Sequence, residues 1–121
     1  MIRKPPDPYG AYGMAQGSAL SLRQADSLAF TRAANLLEQA ARDGDRVQRE
    51  AALKRNQLLW TQVQRLLAPD SHPMPVKLRA DMLSLSAFVD RQTLTALVSG
   101  DPADIRPLVD IDRQVAAGLM E

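Results

Sequence analysis

The chain has 121 residues, a length that suits one domain with one modest core. Aromatic residues make up only 4% of the chain while alanine and leucine are abundant, and this composition favours helices over a β-sandwich. The 15 basic and 14 acidic residues give a net charge of +1 and are interspersed along the chain. This balance argues against direct nucleic-acid binding, which requires a basic excess or a basic stripe.

Cysteine is absent, which excludes disulfides, thiolate metal sites and a cysteine nucleophile. The first residues carry Pro5, Pro6, Asp7 and Pro8, and these interrupt the apolar run that a secretory signal requires. No stretch reaches the roughly 18 apolar residues of a membrane span. We therefore expect a cytoplasmic protein that does not associate with membranes.

Residues 1–20 are rich in proline and glycine, and this density of turn formers predicts a flexible tail. An alternative is that the tail becomes ordered on a partner, with its few aromatic side chains as anchors. Residues 21–121 are predicted to form a single helical domain. Together these features predict an all-α fold, a small bundle of about four helices preceded by a flexible N-terminal tail.

The first helix is predicted over about residues 22–42. Ser21 and Gln24 have the spacing of a capping box. Apolar residues then recur at helical intervals and form a predicted core stripe: Leu22, Ala25, Ala29, Ala33, Leu36 and Ala40. Gly44 follows the last apolar position, and glycine is the preferred residue just after a helix. Asp45 is a suitable N-cap for a second helix, which continues to about Leu67.

Helix two carries one polar residue, Asn56, inside its apolar stripe and on the same face as Trp60. Asn56 is predicted to form a buried hydrogen bond or, alternatively, a polar contact with a partner. Trp60 is the single tryptophan of the chain, and it suits either a core position or a binding hot spot.

The third helix is predicted over about Pro75 to Ser99, with Gly100 as its C-terminal cap. Because it has apolar residues on two faces, we predict that it lies at the centre of the bundle. A shorter fourth helix is predicted over about Pro107 to Leu119. The two stripes of helix three are Leu78, Met82, Leu85, Val89 and Ala96, and Leu83, Ala87, Leu94 and Val98.

The residues that usually carry catalysis or bind metals do not form a recognisable site. His72 is the only histidine, and we interpret it as a solvated loop residue. Asp101, Asp104, Asp110 and Asp112 form an acidic cluster without the pattern of a calcium loop, so we interpret them as helix caps and solvated surface. We therefore predict that the protein is not an enzyme and holds no metal or cofactor.

Three segments in series carry a recognisable pattern: Asn56–Trp60, Leu78–Thr93, and Ile105–Arg113 with Gly118 and Leu119. The first reads Asn-x-x-Leu-Trp, the second is similar to Leu-Arg, Ser-Leu and Trp-Val-x-Arg-His-Thr, and the third is similar to Pro-Leu-Ile-Asp-Ile-Asn-Arg followed by Gly-Leu. Together these patterns resemble the FlaF family of flagellar regulators. Three positions depart from the family: Phe88 replaces tryptophan, Gln92 replaces histidine and Asp112 replaces asparagine.

The resemblance implies a cytoplasmic regulator of flagellum biosynthesis that binds flagellin, as an export chaperone or in control of flagellin synthesis. Two alternatives remain: a structural partner of the companion regulator FlbT without flagellin contact, or a direct regulator of flagellin messenger RNA. The candidate partner-binding residues are four apolar groove residues, Trp60, Leu85, Phe88 and Leu108, and three polar residues, Asn56, Arg91 and Asp110.

Overall fold

The computed structural model describes the backbone of residues 8–67 and 75–120 and the side chains of residues 24–67 and 75–120, and all of its regular elements there are helices. This confirms the predicted all-α bundle of about four helices. In chain order the helices are α1 (Pro8–Asp43), α2 (Arg46–Leu66), α3 (Val76–Ser99) and α4 (Arg106–Leu119), with a short 3-10 helix (Pro102–Ile105) before α4.

Helix α1 begins at Pro8, well before the predicted start near Leu22. The predicted flexible tail falls partly on residues 1–7, which lie outside the described residues, and partly on residues whose side chains are not described. Its flexibility therefore stays a prediction. The same holds for the solvated loop position of His72, because residues 68–74 also lie outside the described residues. The capping box predicted at Ser21 was wrong, because Ser21 lies inside α1 and not at its start.

The turn between α1 and α2 has the predicted caps. The Asp45 carboxylate accepts a hydrogen bond from the Gln48 backbone N–H at 2.9 Å, and the Gln48 side chain accepts one from the Asp45 N–H at 2.9 Å. Gly44 precedes this capping box, and a Cβ there would lie 2.7 Å from the Ala40 carbonyl oxygen. A larger residue would therefore force the turn open.

Arg49 in α2 joins the ends of two other helices. Its guanidinium donates hydrogen bonds to the carbonyl oxygens of Gly44, at 2.9 Å, and of Gly100, at 3.3 Å. Gly44 follows α1, and Gly100 follows α3 in the left-handed conformation (φ 67°) that glycine adopts most easily. Since carbonyl groups at a helix C-terminus carry partial negative charge, one cation stabilises both ends.

Helix α1, not α3, lies at the centre of the bundle. It packs most extensively against α4 and then against α2, whereas α3 packs mainly against α2 and the 3-10 helix. The prediction for helix three was wrong because only one of its two apolar faces is covered by the described part of the chain. The core is formed by residues of all four helices and the 3-10 helix, among them Phe30, Leu37, Leu53, Trp60, Val89, Ile105, Leu108 and Val109.

Candidate partner-binding surfaces

The seven predicted partner-binding residues do not share one surface. Asn56, Trp60 and Leu108 are fully buried, so a partner cannot touch their side chains in this conformation. Leu85 and Phe88 are half-buried on α3. Two residues are exposed: Arg91 on α3, and Asp110 on α4, where it pairs with Arg106 at 3.7 Å. Which of the seven contacts a partner stays a prediction.

Trp60 is held from two sides inside the core. The edge of its ring meets Phe30 of α1 with ring centroids 5.5 Å apart and an interplanar angle of 73°, a favoured aromatic geometry. Its Nε1–H donates a hydrogen bond to the Asp112 carboxylate of α4 at 2.9 Å. Trp60 therefore fixes α2 against both α1 and α4, which is the core role that the sequence allowed.

Asp112 is buried in the same place, and the prediction that it belongs to a solvated acidic surface was wrong. Burial raises the pKa of its carboxyl from 3.8 to about 7, although the Trp60 hydrogen bond and the nearby charge of Arg113 act in the opposite direction. The sequence did contain a signal for this, because Asp112 lies four residues after the core residue Leu108 and so shares its face. By contrast, Asp101 caps the 3-10 helix as predicted, accepting from the Ala103 N–H at 2.9 Å.

Each of the three motif segments contributes a fully buried polar residue to the interior. Asn56, Thr93 and Asp112 are fully buried, one from each segment. The predicted burial of Asn56 is confirmed, but its amide makes no hydrogen bond with the residues described. Gln92, at the position where the family has histidine, still donates a hydrogen bond to the Asp104 carbonyl at 2.8 Å and so links α3 to the 3-10 helix.

A groove open to solvent runs between α1 and α2 near their connecting turn, with a volume of about 780 Å³. Its apolar surface comes from Leu36 and Ala40 of α1 and from Ala52 and Leu58 of α2. Leu36 and Leu58 are exposed, although the sequence pattern assigned Leu36 to the core stripe. The groove was not predicted because helical spacing alone does not distinguish a core position from the wall of an open groove.

Positive charge borders this groove. Lys54 and Arg55 of α2 line it, and neither forms an ion pair with any described residue. The acidic residue in the lining is Asp43, whose carboxylate lies 3.4 Å from the Arg42 guanidinium. Neither cation therefore has an ion-pair partner among the described residues.

The outer face of α3 is a second exposed apolar surface. Leu94 is 63% exposed, and Leu83 and Val98 lie on the same side of the helix at helical spacing. Val76 continues this stripe to the start of the helix. A helix that is apolar on two faces normally buries both, so this outer face is a candidate contact for another protein.

Within the described ranges, no group of three or more histidine, aspartate or glutamate side chains is positioned to hold a metal ion. Nor does any helix in the part of the chain that the structure describes combine the length and apolar character needed to cross a membrane. Among the described residues, the groove and the outer face of α3 are exposed apolar surfaces that suit a partner.

Comparison with known proteins gives one match. A family model described as "Flagellar protein FlaF" matches residues 9–119, which span nearly the whole chain, and this confirms the resemblance drawn from the three motif segments. No curated protein and no solved structure matches the chain.

Proposed function

Because the chain belongs to the FlaF family of flagellar proteins, we propose that it binds flagellin in the cytoplasm and thereby regulates flagellin synthesis or export. The observation that carries this proposal is the groove between α1 and α2, whose apolar wall is exposed to solvent. A groove of this kind suits helix-in-groove recognition, in which an amphipathic helix lays its apolar face between two helices. A site of this kind binds a partner and performs no reaction, and this suits a family of flagellar regulators better than an enzyme family.

The terminal segments of flagellin are amphipathic helices, and their exposed apolar faces favour self-association. A protein that covers one of these faces keeps flagellin monomeric before export. Binding of this type also makes the state of the regulator depend on the flagellin concentration. The free regulator exposes the apolar surface of the groove, and the occupied regulator does not. The role combines a chaperone with a regulator and requires no chemistry at the site.

The test is isothermal titration of the purified full-length chain with soluble monomeric flagellin from the same organism. We expect saturable binding near one to one, with a dissociation constant in the micromolar range or tighter. Apolar burial should also give a negative heat-capacity change when the titration is repeated at several temperatures. Absence of heat together with absence of co-elution on gel filtration would exclude direct flagellin binding.

A second candidate function is stable association with an FlbT-like regulator without flagellin contact. The exposed outer face of α3 favours it, because this face offers an apolar surface on a different helix from those that form the groove. Co-purification with FlbT but not with flagellin would select this function. Co-purification with both would indicate that the two surfaces serve different partners.

A further inference from the structure

The groove between α1 and α2 combines an apolar wall with two cations at its border. Resting on the proposed function, we infer that the groove receives an amphipathic helix whose apolar stripe is flanked by acidic side chains. Two observations carry this inference, the apolar wall of the groove and the unpaired cations at its border.

The apolar wall indicates that the partner segment is a helix. Leu36 and Leu58 project from two different helices and are both exposed, with the small residues Ala40 and Ala52 buried between them. Small residues at the bottom of a groove allow a third helix to approach closely, and the two leucines then contact its sides. An extended strand would leave its backbone N–H and C=O groups unpaired against this surface, whereas a helix satisfies them internally.

The cations at the border indicate that the partner segment carries acidic residues. Two other exposed cations have acidic partners one turn away, in the Arg46–Glu50 and Lys77–Asp81 pairs, each at 3.3 Å. Glu50 also lies one turn before Lys54, but its carboxylate is engaged by Arg46. Lys54 and Arg55 therefore have no ion-pair partner among the described residues, although Asp43, paired with Arg42, also lines the groove. Acidic residues on a bound helix would provide such a partner.

The first experiment uses two synthetic peptides of about 18 residues, long enough to span roughly 27 Å as a helix. Both have the same leucine and alanine stripe, but one has glutamate and the other lysine at the flanking positions. Fluorescence anisotropy with the full-length chain should show saturable binding of the glutamate peptide, at least about tenfold tighter than the lysine peptide and weakened by salt. Equal binding of the two peptides, or no binding of either, would overturn the inference.

Matched variants locate the bound peptide. Leu58→Glu and Leu94→Glu change two leucines with nearly the same exposure, 62% and 63%, one beside the groove and one on the outer face of α3. We expect Leu58→Glu to weaken the glutamate peptide by at least about tenfold and Leu94→Glu to change its binding by less than about twofold. The reverse result would place the helix on α3 and contradict the groove assignment.

The charge variant is Lys54→Glu with Arg55→Glu, and its control is Arg91→Glu, which also changes an exposed cation without an ion pair among the described residues. The double variant should lose the preference for the glutamate peptide and gain one for the lysine peptide, while the control should keep the original order. An unchanged preference in the double variant would refute the charge argument.

The peptide result is independent of flagellin. If monomeric flagellin fails to bind but the glutamate peptide binds in the groove, the proposed function is wrong and the inference on the groove stands. If flagellin binds and the groove variants leave that binding unchanged, the proposed function stands and the inference is wrong.

Discussion

The interior around Trp60 and the groove beside Leu58 lie on opposite faces of the same helix, and they differ in what the family motifs specify. In the Asn-x-x-Leu-Trp segment, the specified residues Asn56 and Trp60 are fully buried, whereas Leu58 falls at an unspecified position and is exposed. Lys54 and Arg55 lie outside all three motif segments. The motifs therefore describe how the helices pack, and the groove is formed by residues that the motifs do not specify.

The largest effect is expected from Trp60→Ala, in the interior of the bundle. It removes a fully buried indole and leaves the Asp112 carboxylate without its donor, so the free energy of unfolding should fall by about 3–5 kcal/mol. Urea denaturation followed by far-ultraviolet circular dichroism measures this loss. The control is Leu94→Ala, at an exposed position, which should change the same quantity by less than about 0.5 kcal/mol. Similar values for the two variants would contradict the core assignment of Trp60.

A smaller effect is expected from the pH dependence of stability. The folded-state pKa of Asp112 is about 7 and its ordinary value is 3.8, so between these pH values the folded chain binds a proton that the unfolded chain does not. Stability should therefore fall as pH rises through this window and level off above about pH 7. At about 1.4 kcal/mol per pH unit, the loss between pH 5 and pH 8 is about 2–3 kcal/mol.

The matched variant is Asp112→Asn, which has the same shape without the titrating carboxyl and restores the residue typical of the family. Its stability should lack this fall, so the difference between the two proteins isolates Asp112 from every other titrating group. Glu38, whose pKa is lowered chiefly by hydrogen bonds from Arg113 and then from Arg106, loses its contribution only as pH falls below about 4.5. Parallel stability curves for the two proteins above pH 5 would show that Asp112 does not titrate there.

The smallest effect is expected from Arg49→Ala. The variant loses two hydrogen bonds to helix-terminal carbonyl groups at a half-buried site, which should lower the free energy of unfolding by about 1–2 kcal/mol. Lys54→Ala, on the same helix but without an ion pair among the described residues, should be close to neutral. Urea titration of both variants checks the difference, and equal effects would show that the bridge from Arg49 adds nothing to stability.

The helices were predictable from the sequence because their ends carry strong local signals. Asp45 and Gly100 cap their helices as predicted, and apolar spacing identified most of the buried positions. Their arrangement was not predictable in the same way, because an apolar face looks alike whether another helix of the chain covers it or it is exposed. Leu83 and Leu94 on α3 and Leu36 on α1 were all assigned to buried stripes for this reason.

The candidate site was only partly predictable for a related reason. The resemblance directed attention to Asn56, Trp60 and Leu108, which the family patterns mark because they build the core. Lys54 and Leu58 have no distinctive pattern in the sequence, and their significance depends on which residues of α1 lie opposite them. That information is a property of the packed structure.

The position of Arg49 has a consequence for how the bundle opens. Its one side chain binds the carbonyl groups that close α1 and α3, so loosening either of these helix ends releases part of what holds the other. The last turns of the two helices should therefore fray together, as one cooperative unit, although 51 residues separate Arg49 from Gly100 along the chain. A partner helix bound near Gly44 would therefore change the stability of the C-terminal end of α3 without contacting α3.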